Sequence, residues 1–216
     1  MYASDFRQYA HQKTAPYASR LAVICLIFAA ISMALGLPYL KFETEYIYGY
    51  DIIVFPLASI STIGSLILSG PLQMSNVLIA SKVYDGYEPK YNDICFGFKK
   101  FKQAFLINLL EGIYIVLWAL IPLVGPFIAI SKGFAYSMAY YISLDNDRLS
   151  PNECIGSSVQ LMQGNKWRLF CLMFSYIGWI ILCALTAGIL YFWVKPRMDV
   201  AVCAFYRELV GEGQIQ

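Results

Sequence analysis

Moved along the chain by 65 residues, the segment Ile113 to Tyr141 falls on Gly178 to Tyr206. Ile115, Leu117, Ala119, Leu120, Phe127, Ala139 and Tyr141 then meet identical residues: Ile180, Leu182, Ala184, Leu185, Phe192, Ala204 and Tyr206. Lys132 falls on Arg197, so even a base inside an apolar stretch recurs. Each copy holds two apolar runs joined by a short turn, the pattern of a membrane helical hairpin. Repeated hairpins in one chain imply a polytopic membrane protein built by duplication.

Composition points the same way. Of 216 residues, 59% are hydrophobic and 14% charged, against roughly 25% charged in soluble domains. A 24.4 kDa chain cannot hide that much apolar surface in its own core, so a bilayer is the expected solvent. The formal charge of +2 is too small to argue for nucleic acid.

A crossing helix needs about 20 mostly apolar residues. Leu21–Leu40 qualifies and is read as a true span rather than a cleavable leader. Residues 52–80 are too long for one straight crossing and carry Pro56, Gly64 and Gly70-Pro71, so a kinked helix or a short outer helix before the span is expected. Ala104–Val124 and Phe127–Leu144 are separated by Gly125-Pro126, and Leu169–Ala187 and Gly188–Tyr206 meet around Thr186 to Gly188. The expected fold is therefore all-α: a membrane helical bundle of six transmembrane helices in three tandem hairpins. It forms one integral membrane domain over 1–216, with repeat units of about 1–83, 84–146 and 147–210.

Lysine and arginine set the orientation. Arg7, Lys13 and Arg20 precede the first span, Lys82 to Lys102 lie between the second and third, and Arg148, Lys166 and Arg168 lie between the fourth and fifth. The opposite side holds Lys41, with Glu43, Glu45 and Asp51. Both termini are expected in the cytoplasm, with Tyr46, Tyr48 and Tyr50 in an outer aromatic belt.

Each odd-numbered span follows a cytoplasmic stretch of amphipathic pattern. Tyr2, Phe6 and Tyr9 share a face in the first. In the second, Asn92 is placed to cap a helix with Ile94, Phe98, Phe101 and Phe105 in line, flanked by Lys99, Lys100 and Lys102. Ser150-Pro151-Asn152-Glu153 in the third is a capping box with proline at the first helical position. Such helices suit the inner membrane interface. The three lysines are candidate contacts for lipid headgroups, each contributing on the order of 1 kcal/mol near an anionic surface.

Ionisable residues inside spans are costly and are where function is sought first. Glu111, Lys132, Lys195, Arg197 and Asp199 qualify. Lys195 and Asp199 are spaced to pair on one helix, and Glu111 is expected to find a base on another span, Lys132 or Arg197 first. Together they form an expected intramembrane charge network, functional as a substrate or proton site or structural as ties between repeats. The recurrence of a base at 132 and 197 favours the structural role.

No nucleophile motif, phosphate loop or metal-ligand spacing is present, and His11 is the single histidine. Cys25, Cys95, Cys154, Cys171, Cys183 and Cys203 form no C-x-x-C pair. The expectation is a non-enzymatic protein without metal or cofactor.

From Gly70 onward the chain resembles a bacterial family of integral membrane proteins catalogued as domain of unknown function 975. The resemblance rests on Gly70-Pro71-Leu72, Gly97-Phe98-Lys99, Tyr136-Ser137-Met138-Ala139 through Asp145-Asn146, Leu149-Ser150-Pro151-Asn152-Glu153, Lys166-Trp167-Arg168, Ile177-Gly178-Trp179 and Ala204-Phe205-Tyr206. Arg197 and Asp199 depart from the usual pattern. The family looks distantly similar to the membrane domain of bacterial glycerophosphodiester phosphodiesterases, a domain without catalytic residues. The resemblance implies a bacterial plasma membrane and no particular activity. Two functions are carried forward. The favoured one is a multi-pass scaffold or accessory module binding acidic phospholipid or another membrane protein. The other is a small transporter, channel or toxin-export and immunity protein using the intramembrane charges. A water-accessible centre lined by those charges distinguishes the second from the first.

Overall fold

The computed structural model describes residues 3–46, 51–121, 125–186 and 188–211, with the side chains of 34–46, 51–63 and 126 outside the description. Tyr48 and Tyr50 and the side chain of Tyr46, the expected outer belt, lie outside the described residues. What is described is helical, without strands. The helices are α1 (Ala3–Thr14), α2 (Ala18–Tyr46), α3 (Asp51–Tyr84), α4 (Phe96–Lys99), α5 (Phe101–Ala119), α6 (Gly125–Tyr136), α7 (Ala139–Asp145), α8 (Pro151–Leu161), α9 (Lys166–Phe174), α10 (Ile177–Leu185) and α11 (Tyr191–Val210).

Among the described residues three stretches are long and apolar enough to cross a membrane: Ala3–Met33, Phe101–Ala119 and Lys166–Leu185. Each is the outgoing arm of an expected hairpin. The return arms differ for local reasons. α6 and α7 are separated at Ser137-Met138, and α11 carries Lys195, Arg197 and Asp199 within one helix. A shift of 65 residues nonetheless carries Phe101, the start of α5, onto Lys166, the start of α9, and Asp145, the end of α7, onto Val210, the end of α11.

α3 and α11 form the centre. α11 packs on α1, α2 and α3; α3 packs on α2, α5 and α11; α5 packs on α6 and α8. The core is continuous from Phe6 and Ile24 through Met74 and Ile107 to Met138, Leu169 and Phe205. α1 does more than the expected interfacial helix: Phe6 is buried and its ring meets Phe205 edge-on at 5.7 Å. Of the two forms expected for residues 52–80, α3 excludes the separate outer helix, running as one helix of 34 residues. The turn before Pro71 is secured from α5, where Asn108 Nδ2 donates to Leu66 O at 3.1 Å and to Ser69 Oγ at 2.8 Å.

Two buried serines fix the joints. Ser75 Oγ accepts from Gly97 N (2.9 Å) and lies 2.8 Å from Ile94 O, so it ties the segment before α5 to the middle of α3. Ser158 Oγ on α8 donates to Ala135 O (2.7 Å) and accepts from Met138 N (3.1 Å), satisfying backbone groups at the break between α6 and α7. Ser158→Ala strands that amide and carbonyl, and a loss of about 2 kcal/mol is expected in a reversible unfolding measurement. The anticipated capping box is present: Ser150 N donates to Glu153 Oε2 at 2.7 Å and Glu153 N to Ser150 Oγ at 3.4 Å. These bonds hold the Glu153 carboxyl below the usual carboxylate range. Asn92 is not the cap of its segment. A 3-10 turn, Tyr91–Cys95, starts there instead, because the Asp93 carboxylate accepts from Lys90 N (2.9 Å) and from Lys82 Nζ (2.6 Å). Phe101 and Phe105 accordingly belong to α5.

The helix ends that carry the topological bases are laced together. Arg20 meets Glu88 (2.5 Å), Arg168 meets Glu208 (2.6 Å), and Arg207 meets Asp145 (3.6 Å), which also accepts from the Tyr206 hydroxyl (2.6 Å). These bases thus tie α2 to the turn after α3, and α7 and α9 to α11.

Candidate functional site

The five charges expected inside spans do not form one network. Lys195 and Asp199, one turn apart on α11, are ion-paired. Each retains 24% of its side-chain surface accessible, so the pair is partly open to the space beside it. Glu111 reaches the same space from α5. The two groups line a cavity of about 250 Å³ with Gln73 and Asn76 of α3, Ser137 at the α6–α7 break and Tyr140 of α7. A larger cavity of about 440 Å³ adjoins it through Gln73, Asn76 and Lys195, and reaches Cys25 and Ser32 of α2. Sequence reasoning missed the two amides. Their signal was there: Gln73 and Asn76 are three apart, on one face of an otherwise apolar helix.

Glu111 does not meet the base expected for it. Among the described residues no ion pair joins it to Lys132 or Arg197, and its Oε1 is buried without a hydrogen-bond partner. Its cavity also holds the Tyr140 hydroxyl, 3.5 Å from Asn108 Oδ1, while the charged Lys195 and Asp199 there are paired with each other. The cause is lateral displacement of both candidate bases. Lys132 Nζ sits over the Trp118 ring, 4.7 Å from its centroid, a contact that places the ammonium on an aromatic face. Arg197 lines a different cavity, shared with Arg7. The repeat-equivalent bases at 132 and 197 therefore have different surroundings, which removes the argument that their recurrence marks a common structural tie.

Of the three lysines before α5, Lys100 is ion-paired with Asp147 and lies over the Phe96 ring. Lys99 and Lys102 are exposed. All three border an open cavity of about 600 Å³ with Phe101, Leu106 and Leu149. Among the described residues no group of histidine, cysteine, aspartate and glutamate is arranged to hold a metal.

Residues 123–212 match the family described as "Protein of unknown function (DUF975)". The match covers α6 through α11 and takes in Tyr136-Ser137-Met138-Ala139 and the capping box, but not Gly70-Pro71-Leu72 or Gly97-Phe98-Lys99. No curated protein and no solved structure matches the chain.

Proposed function

We propose that the chain is a non-enzymatic, multi-pass membrane protein that binds, and carries across the bilayer, a small cationic solute in its central cavity. The observation that carries this reading is the arrangement of Glu111, Lys195 and Asp199 around one cavity. Two carboxyls face a single lysine, and that lysine is already paired. The remaining carboxyl, Glu111, has an oxygen free to accept from an ammonium. Buried ionisable groups at a helix interface mark substrate or ion pathways in membrane proteins, and such sites sit where repeats meet. Gln73, Asn76 and Tyr140 supply neutral donors and acceptors for orientation.

The topology that goes with it is six spans in three hairpins, each preceded by an interfacial helix, with both termini cytoplasmic in a bacterial plasma membrane. Alkaline phosphatase fused after Glu45 is expected to be active, and fused after Gly86, Asn146 or Gly213 inactive. An active Asn146 fusion would overturn the hairpins. The binding reading is tested by thermal-shift titration of the purified protein with small organic amines and their neutral isosteres. Stabilisation by amines alone supports it; equal response to both sets counts against it.

A second reading, the lipid-binding scaffold, draws on the cavity beside Lys99, Lys100 and Lys102, where exposed ammonium groups adjoin Phe101 and Leu106. Its expected signature is retention of acidic phospholipid through purification, weakened when all three lysines become Gln.

A further inference from the structure

We propose that the cavity between α1 and the third hairpin is a phosphate-binding site, taking the phosphate of an anionic lipid or a soluble phosphate. This cavity, about 450 Å³, is lined by Arg7 and His11 of α1, Tyr176 and Trp179 at the α9–α10 junction, and Arg197 of α11. Two guanidinium groups and an imidazole thus line one space, and no carboxylate is among its lining residues. Like charges gathered in this way repel one another unless an anion sits between them.

Arg7 adds an independent sign. Its Nη1 donates to Ser175 O at 3.0 Å, which fixes the side chain against the start of α10. Its Nε is buried and has no hydrogen-bond partner. A buried guanidinium N–H without an acceptor is costly, and an anion in the cavity would supply one. Among the described residues neither Arg7 nor Arg197 is joined to a carboxylate by an ion pair, unlike Arg20, Arg168 and Arg207. Arginine's planar fork matches phosphate oxygens in pairs, with a geometry that lysine does not offer. The Tyr176 hydroxyl, 3.5 Å from Arg197 O, holds α11 against the junction. Trp179, 41% exposed, leaves an apolar wall beside the charged groups. This site is separate from the central cavity and does not depend on what that cavity carries.

The test uses the full-length protein in neutral detergent, titrated separately with short-chain phosphatidylglycerol, phosphatidylcholine and inorganic phosphate. Binding is followed by native mass spectrometry and by melting temperature. Phosphatidylglycerol or inorganic phosphate is expected to bind at least about tenfold more tightly to the wild type than to Arg197→Gln, with Arg197→Lys falling between. A Lys90→Gln variant, at an exposed base outside both this cavity and the one beside Lys99, should bind as the wild type does. Saturation by inorganic phosphate alone assigns the site to a soluble phosphate; saturation by phosphatidylglycerol without competition from inorganic phosphate assigns it to a headgroup. Because Arg7→Gln also loses the bond to Ser175 and can fail to fold, the exposed His11→Gln serves as the second variant, with a loss of about threefold expected. Binding of neither probe to the wild type, undiminished binding in both Arg197→Gln and His11→Gln, or an equal loss in Lys90→Gln, would overturn the proposal.

Discussion

Glu111→Gln is expected to leave the melting temperature in detergent unchanged or higher, while abolishing uptake of a small organic cation into liposomes. The two halves of this result come from one geometry. Removing one partner of a buried ion pair strands the other charge and costs about 3–5 kcal/mol. Glu111 has no such partner, and its Oε1 has no hydrogen bond to lose. Glu111→Leu goes further, since it removes a buried polar group that nothing satisfies; a gain on the order of 1 kcal/mol, or about 2–4 °C, is expected. The loss of uptake follows because the amide that replaces the carboxyl carries no charge to meet an ammonium. A melting temperature that falls by many degrees would place a base against Glu111 and return it to a structural role. Full uptake in Glu111→Gln would end the transport reading.

Gly97→Ala should be strongly damaging, costing at least about 3 kcal/mol and preventing accumulation of folded protein. A Cβ at Gly97 would lie 1.8 Å from Pro71 O and 2.6 Å from Pro71 C. Those are backbone atoms in the middle of α3, so no side chain can swing away. Separation would also pull Gly97 N off Ser75 Oγ, undoing the 2.9 Å bond that seats the segment before α5. Gly70 stands against α5 in the same way, where a Cβ would come within 2.5 Å of Ala104 O. Gly133→Ala is the control. Nothing lies within 4 Å of a Cβ there, and in a helix interior alanine is favoured by up to about 1 kcal/mol. Detergent-extracted yield and melting temperature read both outcomes. Normal yield and stability of Gly97→Ala would show that the segment can shift off α3.

These two glycines also show how motif and fold relate. Gly70-Pro71 and Gly97 stand out in the sequence as elements of a family resemblance, twenty-seven residues apart and without a stated purpose. In the structure Gly97 lies on Pro71 itself, and both belong to a single close approach of α3 to the segment that leads into α5. The motif was visible, but its meaning was a distance between backbones.

The helical character of the chain and the cap at Ser150 were legible because they depend on local chemistry. Apolar run length, proline and glycine at the reversals, and Ser150 with Glu153 three residues on act over one or two turns, and each is written contiguously in the chain. Asn92 misled for a local reason of its own: the carboxylate at Asp93 outcompetes a neighbouring amide once Lys82 pairs with it, and Lys82 comes from α3. The candidate sites were legible only as a set of charges. Which charge faces which is decided by how α3, α5, α7 and α11 rotate about their axes as they pack, and a rotation of a few tens of degrees exchanges one neighbour for another. Lys132 and Arg197 make the point, since one repeat offset relates them, yet one rests on Trp118 and the other shares a cavity with Arg7. The sequence by itself determined that this chain would be helical and apolar, with charges set inside apolar runs. Only the tertiary structure decided that Glu111 would stand unpaired beside the Lys195–Asp199 pair, because that depends on side chains brought together from helices far apart in the chain.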